Sequence, residues 1–322
     1  MKGLELLMEN QIKERLRQKP VVLALSAFAC LLWGSAFPFL KISYEMLNLP
    51  PDDWGAKVLF AGYRFFLAAL LLILVAVVGL RQQLRVPRRI LPWTFLLGLL
   101  QTALQYFFFY NGLAYSTGIK GSIIGATGSL FVVVLSRLYY KNDLLTAQKL
   151  FGLLVGFVGV MVANMSKGAL DYSLSFFGEG FLLISSFVGA LGTILAKELA
   201  ATVHPVLVTA YQMFFGSVLL ILTGGIASGL GSVVFDWRSA LLLLYLAFAS
   251  ATAFSIWYSI LKYNKAGEVA VYRFLIPIWG TLLSALFLGE SVGPNTIGAL
   301  AMVSVGIALV NKRPAESPTL GS

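Results

Sequence analysis

Two arginines lie deep in long apolar stretches, Arg64 within Gly55–Gly79 and Arg273 within Gly267–Leu288. Stretches of this length match a hydrocarbon core of about 30 Å. At about 1.5 Å of rise per helical residue, both guanidinium groups would sit roughly 5 Å from its midplane. A charge at that depth costs at least roughly 3 kcal/mol, rarely faces lipid, and is a functional candidate by default. The bland alternative is snorkelling, or hydrogen bonding to helix carbonyls. The acids are elsewhere. None of the 14 Asp and Glu falls mid-stretch, and Glu198 and Glu268 come nearest, at stretch ends. A site for lipophilic cations would want a buried acid, and a proton relay uses chains of acids or histidines. Buried positive charge without a negative partner suits instead a solute with a carboxylate or phosphate, which arginine grips through two parallel hydrogen bonds. Arg273 is the expected grip, with Arg64 beside it.

Aromatic residues crowd Tyr106–Tyr110 and Trp257-Tyr258, with Tyr272 and Trp279 nearby. Such residues gather at membrane surfaces in general, or they form a wall that stacks on a planar or apolar group. Polar stripes help to choose. Gln101 and Gln105 are one helical turn apart and Phe108 continues their face. Thr252, Ser255 and Ser259 form a second stripe, and Ser26, Cys30, Trp33 and Phe37 a third. Buried glutamines need partners, so these faces are expected against protein or a watery cavity. The expected substrate contacts are Arg273, Arg64, Gln105, Tyr106, Trp33, Trp257, Tyr258, Tyr272 and Gln101. Pro38 and Pro277 fall inside expected helices, where each removes a backbone donor and can serve as a hinge. The single cysteine, Cys30, and the single histidine, His204, exclude an internal disulfide and a Cys- or His-rich metal site. No metal or cofactor is expected. An enzyme working within the membrane would need a cluster of acids, His or Cys that the stretches lack.

These residues need a frame that holds them in a bilayer. With 58% hydrophobic and 12% charged residues, against roughly 25% charged in a soluble domain, the chain has too little polar surface to dissolve. It reads as an all-α integral membrane protein with ten spans: Val21–Tyr44, Gly55–Gly79, Ile90–Tyr110, Ile119–Tyr139, Thr146–Met165, Phe177–Leu199, Pro205–Ser228, Trp237–Leu261, Gly267–Leu288 and Gly293–Asn311. The connections carry basic residues asymmetrically, 17 on one side against 5 on the other. By the positive-inside rule both termini are cytoplasmic. The net charge of +10 therefore reports topology, with no nucleic acid implied. The first apolar run is too long for a signal peptide, and no small-residue cleavage site comes after it.

The stretch Tyr110–Asn164 returns as Trp257–Asn311, with Asp143 against Glu290, Gly159 against Gly306, and a constant offset of 147. Five spans per half make the halves inverted, an architecture of secondary transporters whose site lies near the midplane. Domains are expected at 20–166 and 175–311, flanked by a basic segment 1–19, with a possible interfacial helix, and a tail 312–322. Gly152, Gly156, Gly159, Gly298 and Gly306 permit close packing of spans five and ten. Leu130 stands where offset 147 would put a counterpart of Pro277, so the halves are expected to bend differently. Asn164-Met165-Ser166 fits a glycosylation pattern too short to carry weight.

The chain resembles the drug/metabolite transporter superfamily, EamA type, through Leu32-Trp33-Gly34-Ser35-Ala36-Phe37-Pro38, Tyr63-Arg64-Phe65 and Gly289-Glu290. The resemblance implies two five-helix repeats around a central cavity and efflux of small metabolites. Asp143 departs from the glutamate usual at that turn. The expected activity is secondary transport, export or exchange, of a small zwitterionic or anionic metabolite such as an amino acid. The rivals are a broad exporter of lipophilic or cationic drugs and a non-transporting lipid-binding protein. The expected setting is the cell (inner) membrane, with the lipid bilayer and the solute as partners and the chain as monomer or homodimer.

Overall fold

The computed structural model describes residues 10–140, 146–164 and 175–311. Within them the chain is helical and has no strand. Asp143, Asn164-Met165-Ser166 beyond its first residue, and the tail 312–322 lie outside the described residues. A helical stretch over residues 10–15 precedes α1. The first elements in chain order are α1 (Lys19–Met46), α2 (Trp54–Leu74, prolonged by a π turn Val75–Gly79), α3 (Leu91–Gly98) and α4 (Gln105–Ala114). Next come α5 (Gly118–Gly125), α6 (Thr127–Tyr139), α7 (Ala147–Asn164), α8 (Phe181–Thr202) and α9 (Pro205–Ser228). The last are α10 (Trp237–Tyr263), α11 (Ala266–Val269), α12 (Leu275–Leu288) and α13 (Pro294–Asn311). Seven helical runs are long and apolar enough to cross a membrane: Lys19–Met46, Trp54–Gly79, Gly118–Tyr139, Phe176–Thr202, Pro205–Ser228, Trp237–Tyr263 and Ala266–Leu288. The other expected spans fall on α3 and α4, on α7 and on α13.

Local chemistry starts these helices where the sequence offers caps. Asp53 accepts from Ala56 N at the head of α2, Thr117 from Lys120 N at α5, and Asp236 from Ser239 N at α10. Each satisfies an otherwise unpaired first-turn donor. At Asp236, outside the apolar run, the hydrogen bonds from Ser239 hold the carboxyl below its ordinary range. Lys57 closes the preceding loop by donating to the carbonyls of Pro50, Pro51 and Asp53 at 2.8–3.0 Å.

Helix pairing is set by small residues, because lipid supplies no hydrophobic force between helices. α2 lies along α9. A methyl on Gly224 would stand 2.5 Å from Leu59 N and 2.6 Å from Gly55 O, so only glycine allows this approach. α7 lies along α13, where a methyl on Gly306 would stand 2.6 Å from Gly152 O. The glycines of spans five and ten thus pack within one chain. α1 packs on α10 and α12, while α8 packs on α4 and α6. Each of these pairings joins the two halves, and each maps onto one of the same set when the halves are exchanged.

Two expectations about bending change. Pro277 is the third residue of α12, where a helix N–H lacks an intrahelical partner in any case. The break lies one turn earlier, in a 3₁₀ segment Ala270–Phe274. The first half breaks too, between α5 and α6 at Ala126, with Ala126 N donating to Ile123 O and Ser129 N to Ala126 O. Offset 147 carries Ala126 onto Arg273. The halves therefore break at matching places, with a proline near only one of the breaks. Pro38, by contrast, sits within the continuous α1. The third expected span is also irregular, with a π segment Leu99–Leu104 between α3 and α4.

Glu290 ties the two halves. Its Oε1 accepts from Gly118 N and its Oε2 from Ile119 N, both at 2.8 Å, and a carboxylate there also suits the positive end of α5. Two outcomes are expected in thermal unfolding of detergent-purified protein. Glu290→Ala should cost roughly 0.5–2 kcal/mol, the range for a lost helix cap, with Glu290→Gln losing less. Gly224→Ala should cost roughly 1–3 kcal/mol through overpacking, and an unchanged melting temperature would show that α2 and α9 are not in contact.

Candidate functional site

A cavity with an accessible volume of about 70 Å³ lies between the two halves, room for a few waters. α1 supplies Trp33, Ala36 and Phe37, α2 supplies Arg64, and α4 supplies Gln105, Tyr106 and Phe109. Gly125 comes from the break after α5, Ser185 and Ser186 from α8, and Phe254 from α10. The second break supplies Arg273, and α12 supplies Ile276. Both interrupted helices therefore bring their breaks to this wall. Two roomier hollows, about 450 and 480 Å³, lie at helix ends among Lys13, Arg17, Lys197 and Lys262, and among Arg81, Arg85 and His204. The central cavity is the candidate site because it gathers charge, amide and aromatic faces at mid-helix depth.

The two arginines differ in kind. Arg64 is only 1% exposed. Its Nε donates to Leu246 O at 3.1 Å and Ser250 Oγ at 2.8 Å, and its Nη1 donates to Tyr110 Oη at 3.1 Å. Tyr110 is held in turn, its carbonyl accepting from Tyr44 Oη at 3.0 Å. The guanidinium also lies 5.1 Å from the Phe65 ring and 6.0 Å from that of Tyr106. For Arg64 the bland alternative of hydrogen bonds to helix groups describes what is found. Arg273 is half-buried. Its Cζ lies 5.4 Å from the Trp33 ring and 5.9 Å from the Trp257 ring, within reach of a cation–π attraction. Its side chain has no hydrogen-bond or ion-pair partner among the described residues.

The aromatic wall is a chain of edge-to-face contacts, the arrangement ring quadrupoles favour. Trp33 meets Phe254 at 5.2 Å and Trp257 at 5.5 Å, Phe37 meets Phe109 at 5.4 Å, and Tyr106 meets Phe109 at 5.8 Å. Gln101 Nε2 donates to Gln105 Oε1 at 2.7 Å, which leaves the amide NH₂ of Gln105 without a partner among the described residues. Both glutamines lie against small residues of α8: a methyl on Gly189 would stand 2.8 Å from the Gln105 amide, and one on Gly192 2.1 Å from Gln101 Oε1. Ser185 Oγ donates to Gln105 O at 2.9 Å and Ser186 Oγ to Ile124 O at 3.5 Å.

Of the expected contacts, Trp33, Arg64, Gln105, Tyr106 and Arg273 line the cavity. Trp257 stands behind Arg273, Tyr258 behind Phe254 at 5.9 Å, and Gln101 behind Gln105. Tyr272 is not on the wall; its carbonyl accepts from Cys30 Sγ at 3.3 Å. The stripe Thr252, Ser255, Ser259 also misses it, and Phe254 faces it instead. Phe108 turns away to meet Phe181 at 5.1 Å. Sequence reasoning missed Ser185, Ser186, Phe254 and Ile276, while Phe109 belongs to the aromatic crowd Tyr106–Tyr110. The adjacent serines in an apolar run were a usable signal for the first two.

The chain matches the EamA-like transporter family twice, over residues 20–165 and 176–312. It is 25% identical over 304 residues to an uncharacterized transporter of Archaeoglobus fulgidus, covering 92% of this chain and 99% of that one. It is 28% identical to the uncharacterized transporter YvbV of Bacillus subtilis, over 90% and 91% of the two chains. A probable amino-acid metabolite efflux pump of Salmonella typhimurium is 24% identical over 88% and 92%. A solved crystal structure superposes with a TM-score of 0.70 at 17% identity, over 91% of this chain and 96% of the other, a likeness of fold.

The contrast between the arginines predicts unequal stability effects. Arg64→Ala should cost roughly 3 kcal/mol or more, since it removes three charge-assisted hydrogen bonds and strands their buried acceptors. Arg273→Ala should cost about 1 kcal/mol or less, the worth of its aromatic contacts. Thermal unfolding of the two variants in one detergent checks this, and equal losses would remove the distinction.

Proposed function

This chain belongs to the EamA-like transporter family, and we propose that it exports or exchanges a small anionic or zwitterionic metabolite by alternating access. In this reading ten spans form two inverted five-helix repeats, multi-pass in the cell membrane with both termini cytoplasmic. The solute sits in the central cavity with its acid group on Arg273. The observation that carries the reading is a guanidinium on the cavity wall with no acid or acceptor among the described residues to meet it. Five N–H donors in a planar fork suit a carboxylate or phosphate, and a charge left unmatched at that depth would be costly. The counterpart pairings of helices support a two-fold relation between halves, and the matching breaks support a midplane site, as discontinuous helices do in transporters generally. Arg64, already held through Nε and Nη1 by Leu246, Ser250 and Tyr110, contributes positive potential and fixes the wall.

An exporter of lipophilic cations would use the faces of Trp33 and Trp257, but Arg273 already lies over both. Purified protein in proteoliposomes separates the readings. Counterflow of a radiolabelled panel of amino acids and organic acids should show uptake above protein-free vesicles, with Arg273→Ala lowering it about tenfold or more. Uptake of cationic drugs that persists in Arg273→Ala would favour the drug exporter. No solute-dependent flux together with tight lipid binding would favour the non-transporting protein.

A further inference from the structure

The charges and donors around the cavity distinguish two kinds of solute that the transport reading leaves together. Its lining carries two guanidinium groups, Arg64 and Arg273, and no Asp or Glu. An amino acid brings an ammonium group that must be matched. The acceptors near the cavity are neutral: the hydroxyl oxygens of Ser185 and Ser186, whose protons go to the carbonyls of Gln105 and Ile124, and the phenol of Tyr106. Aromatic faces could attract a cation, but Trp33 and Trp257 already face Arg273, and Tyr106 faces Arg64. On the wall itself the unmatched groups are mainly donors, the Arg273 fork, the amide NH₂ of Gln105 and the indole N–H of Trp33, while the unmatched acceptor Gln101 Oε1 lies behind Gln105, off the wall. An ammonium would thus enter beside two like charges with no counter-charge, where like charges repel strongly because little water screens them. The rest of the lining, Phe37, Phe109, Phe254, Ile276 and Ala36, would leave the hydroxyls of a sugar or polyol without partners.

We infer that the site selects a carboxylate that lacks an ammonium group and carries a planar or apolar body, in the manner of an aromatic 2-oxo acid, over the corresponding amino acid. The carboxylate takes the Arg273 fork, the amide of Gln105 can reach a second oxygen, and the apolar body lies against the rings of Phe254, Phe109 and Tyr106. This rests on the transport reading above and narrows it to one solute class.

The test uses four probes on the purified full chain: phenylpyruvate, phenylalanine, phenethylamine and glycerol 3-phosphate. Binding is read by thermal shift titration, because a ligand bound only to the folded state raises the melting temperature. Phenylpyruvate is expected to bind about tenfold or more tighter than phenylalanine, a gap of about 1.4 kcal/mol, with no shift from the other two. In Arg273→Gln, checked for monodispersity by size exclusion, phenylpyruvate should lose its advantage. Equal binding of phenylpyruvate and phenylalanine, or an advantage for phenylalanine, would overturn the inference and leave the transport reading standing. Tightest binding of glycerol 3-phosphate would overturn the apolar body while keeping the anion. Binding of phenethylamine alone, or no shift from any probe alongside no flux in proteoliposomes, would overturn both.

Discussion

A full charge inside hydrocarbon must be met by something, and this protein meets two such charges in different ways. Arg64 spends its donors on a carbonyl of α10, the hydroxyl of Ser250 and the phenol of Tyr110. That network joins α2, α4 and α10, so the charge works as a three-way brace. Arg273 has ring faces on two sides and no acceptor among the described residues. Ring faces can return about 2 kcal/mol each in a dry setting, comparable to the roughly 3 kcal/mol minimum of the buried charge, but they accept none of its N–H hydrogen bonds. Those donors are left to the solvent or solute that the cavity admits. On the proposed reading the solute therefore meets Arg273, while Arg64 holds the frame.

Arg273 can stand there because the helix carrying it is interrupted. A 3₁₀ segment turns about 20° more per residue than an α-helix, so five such residues rotate the remainder of the helix by roughly 100°. This rotation aims Arg273 and Ile276 at the cavity while Tyr272 falls to the side. The matching break at Ala126 brings Gly125 to the same wall. Tight packing around the breaks explains why they persist. A methyl on Gly280 would stand 2.4 Å from Ser122 Cβ, and one on Gly34 would stand 2.6 Å from Trp279 Cβ. α1, α5 and α12 are thus pressed together beside the interrupted turns, and tertiary contact holds a geometry that local sequence does not ask for.

The sequence was most readable where burial alone decides. Apolar length marked the helices, depth marked Arg64 and Arg273, and the scarcity of polar residues in apolar runs marked Gln105, Tyr106 and Trp33. Glycine spacing foretold how α7 and α13 pack, since close approach has a direct steric cause at Gly306. Rotation about the helix axis was hidden. Tyr272 was expected on the wall as one of the crowded aromatics, and the break was expected at Pro277, one turn beyond where it lies. On α10, the polar stripe led to Thr252, Ser255 and Ser259, yet Phe254 faces the cavity; Ser259 satisfies its hydroxyl on the carbonyl of Ser255 in its own helix, while Ser255 Oγ is buried without a partner among the described residues. Hydroxyls can satisfy themselves within a helix, so they are weak markers of a wet face. Pro277 misled for a related reason: at the start of a helix a proline costs no hydrogen bond.

The cavity is too small for the solutes that its chemistry suits, and this gives meaning to the contacts beyond it. An aromatic acid needs more than the few water-sized places available here, so the proposed transport would require the halves to separate at one end. At one end they are joined by Glu290 on the first-turn N–H groups of α5. The run Gly118–Tyr139 carries the chain from there to the opposite end. There Tyr140 Oη donates to Glu198 Oε1 across the halves, and Asn264 Nδ2 donates to Leu16 O at 2.8 Å, on the segment before α1. The cross-half ties at Glu290 and Glu198 each carry one carboxylate, and water can replace its partner if the end opens. A charged group released into water is well solvated, so each tie is strong while closed and inexpensive to exchange for hydration. On the proposed reading, reversible ties of this kind at both ends would let one frame open alternately on either side while the brace at Arg64 keeps its shape.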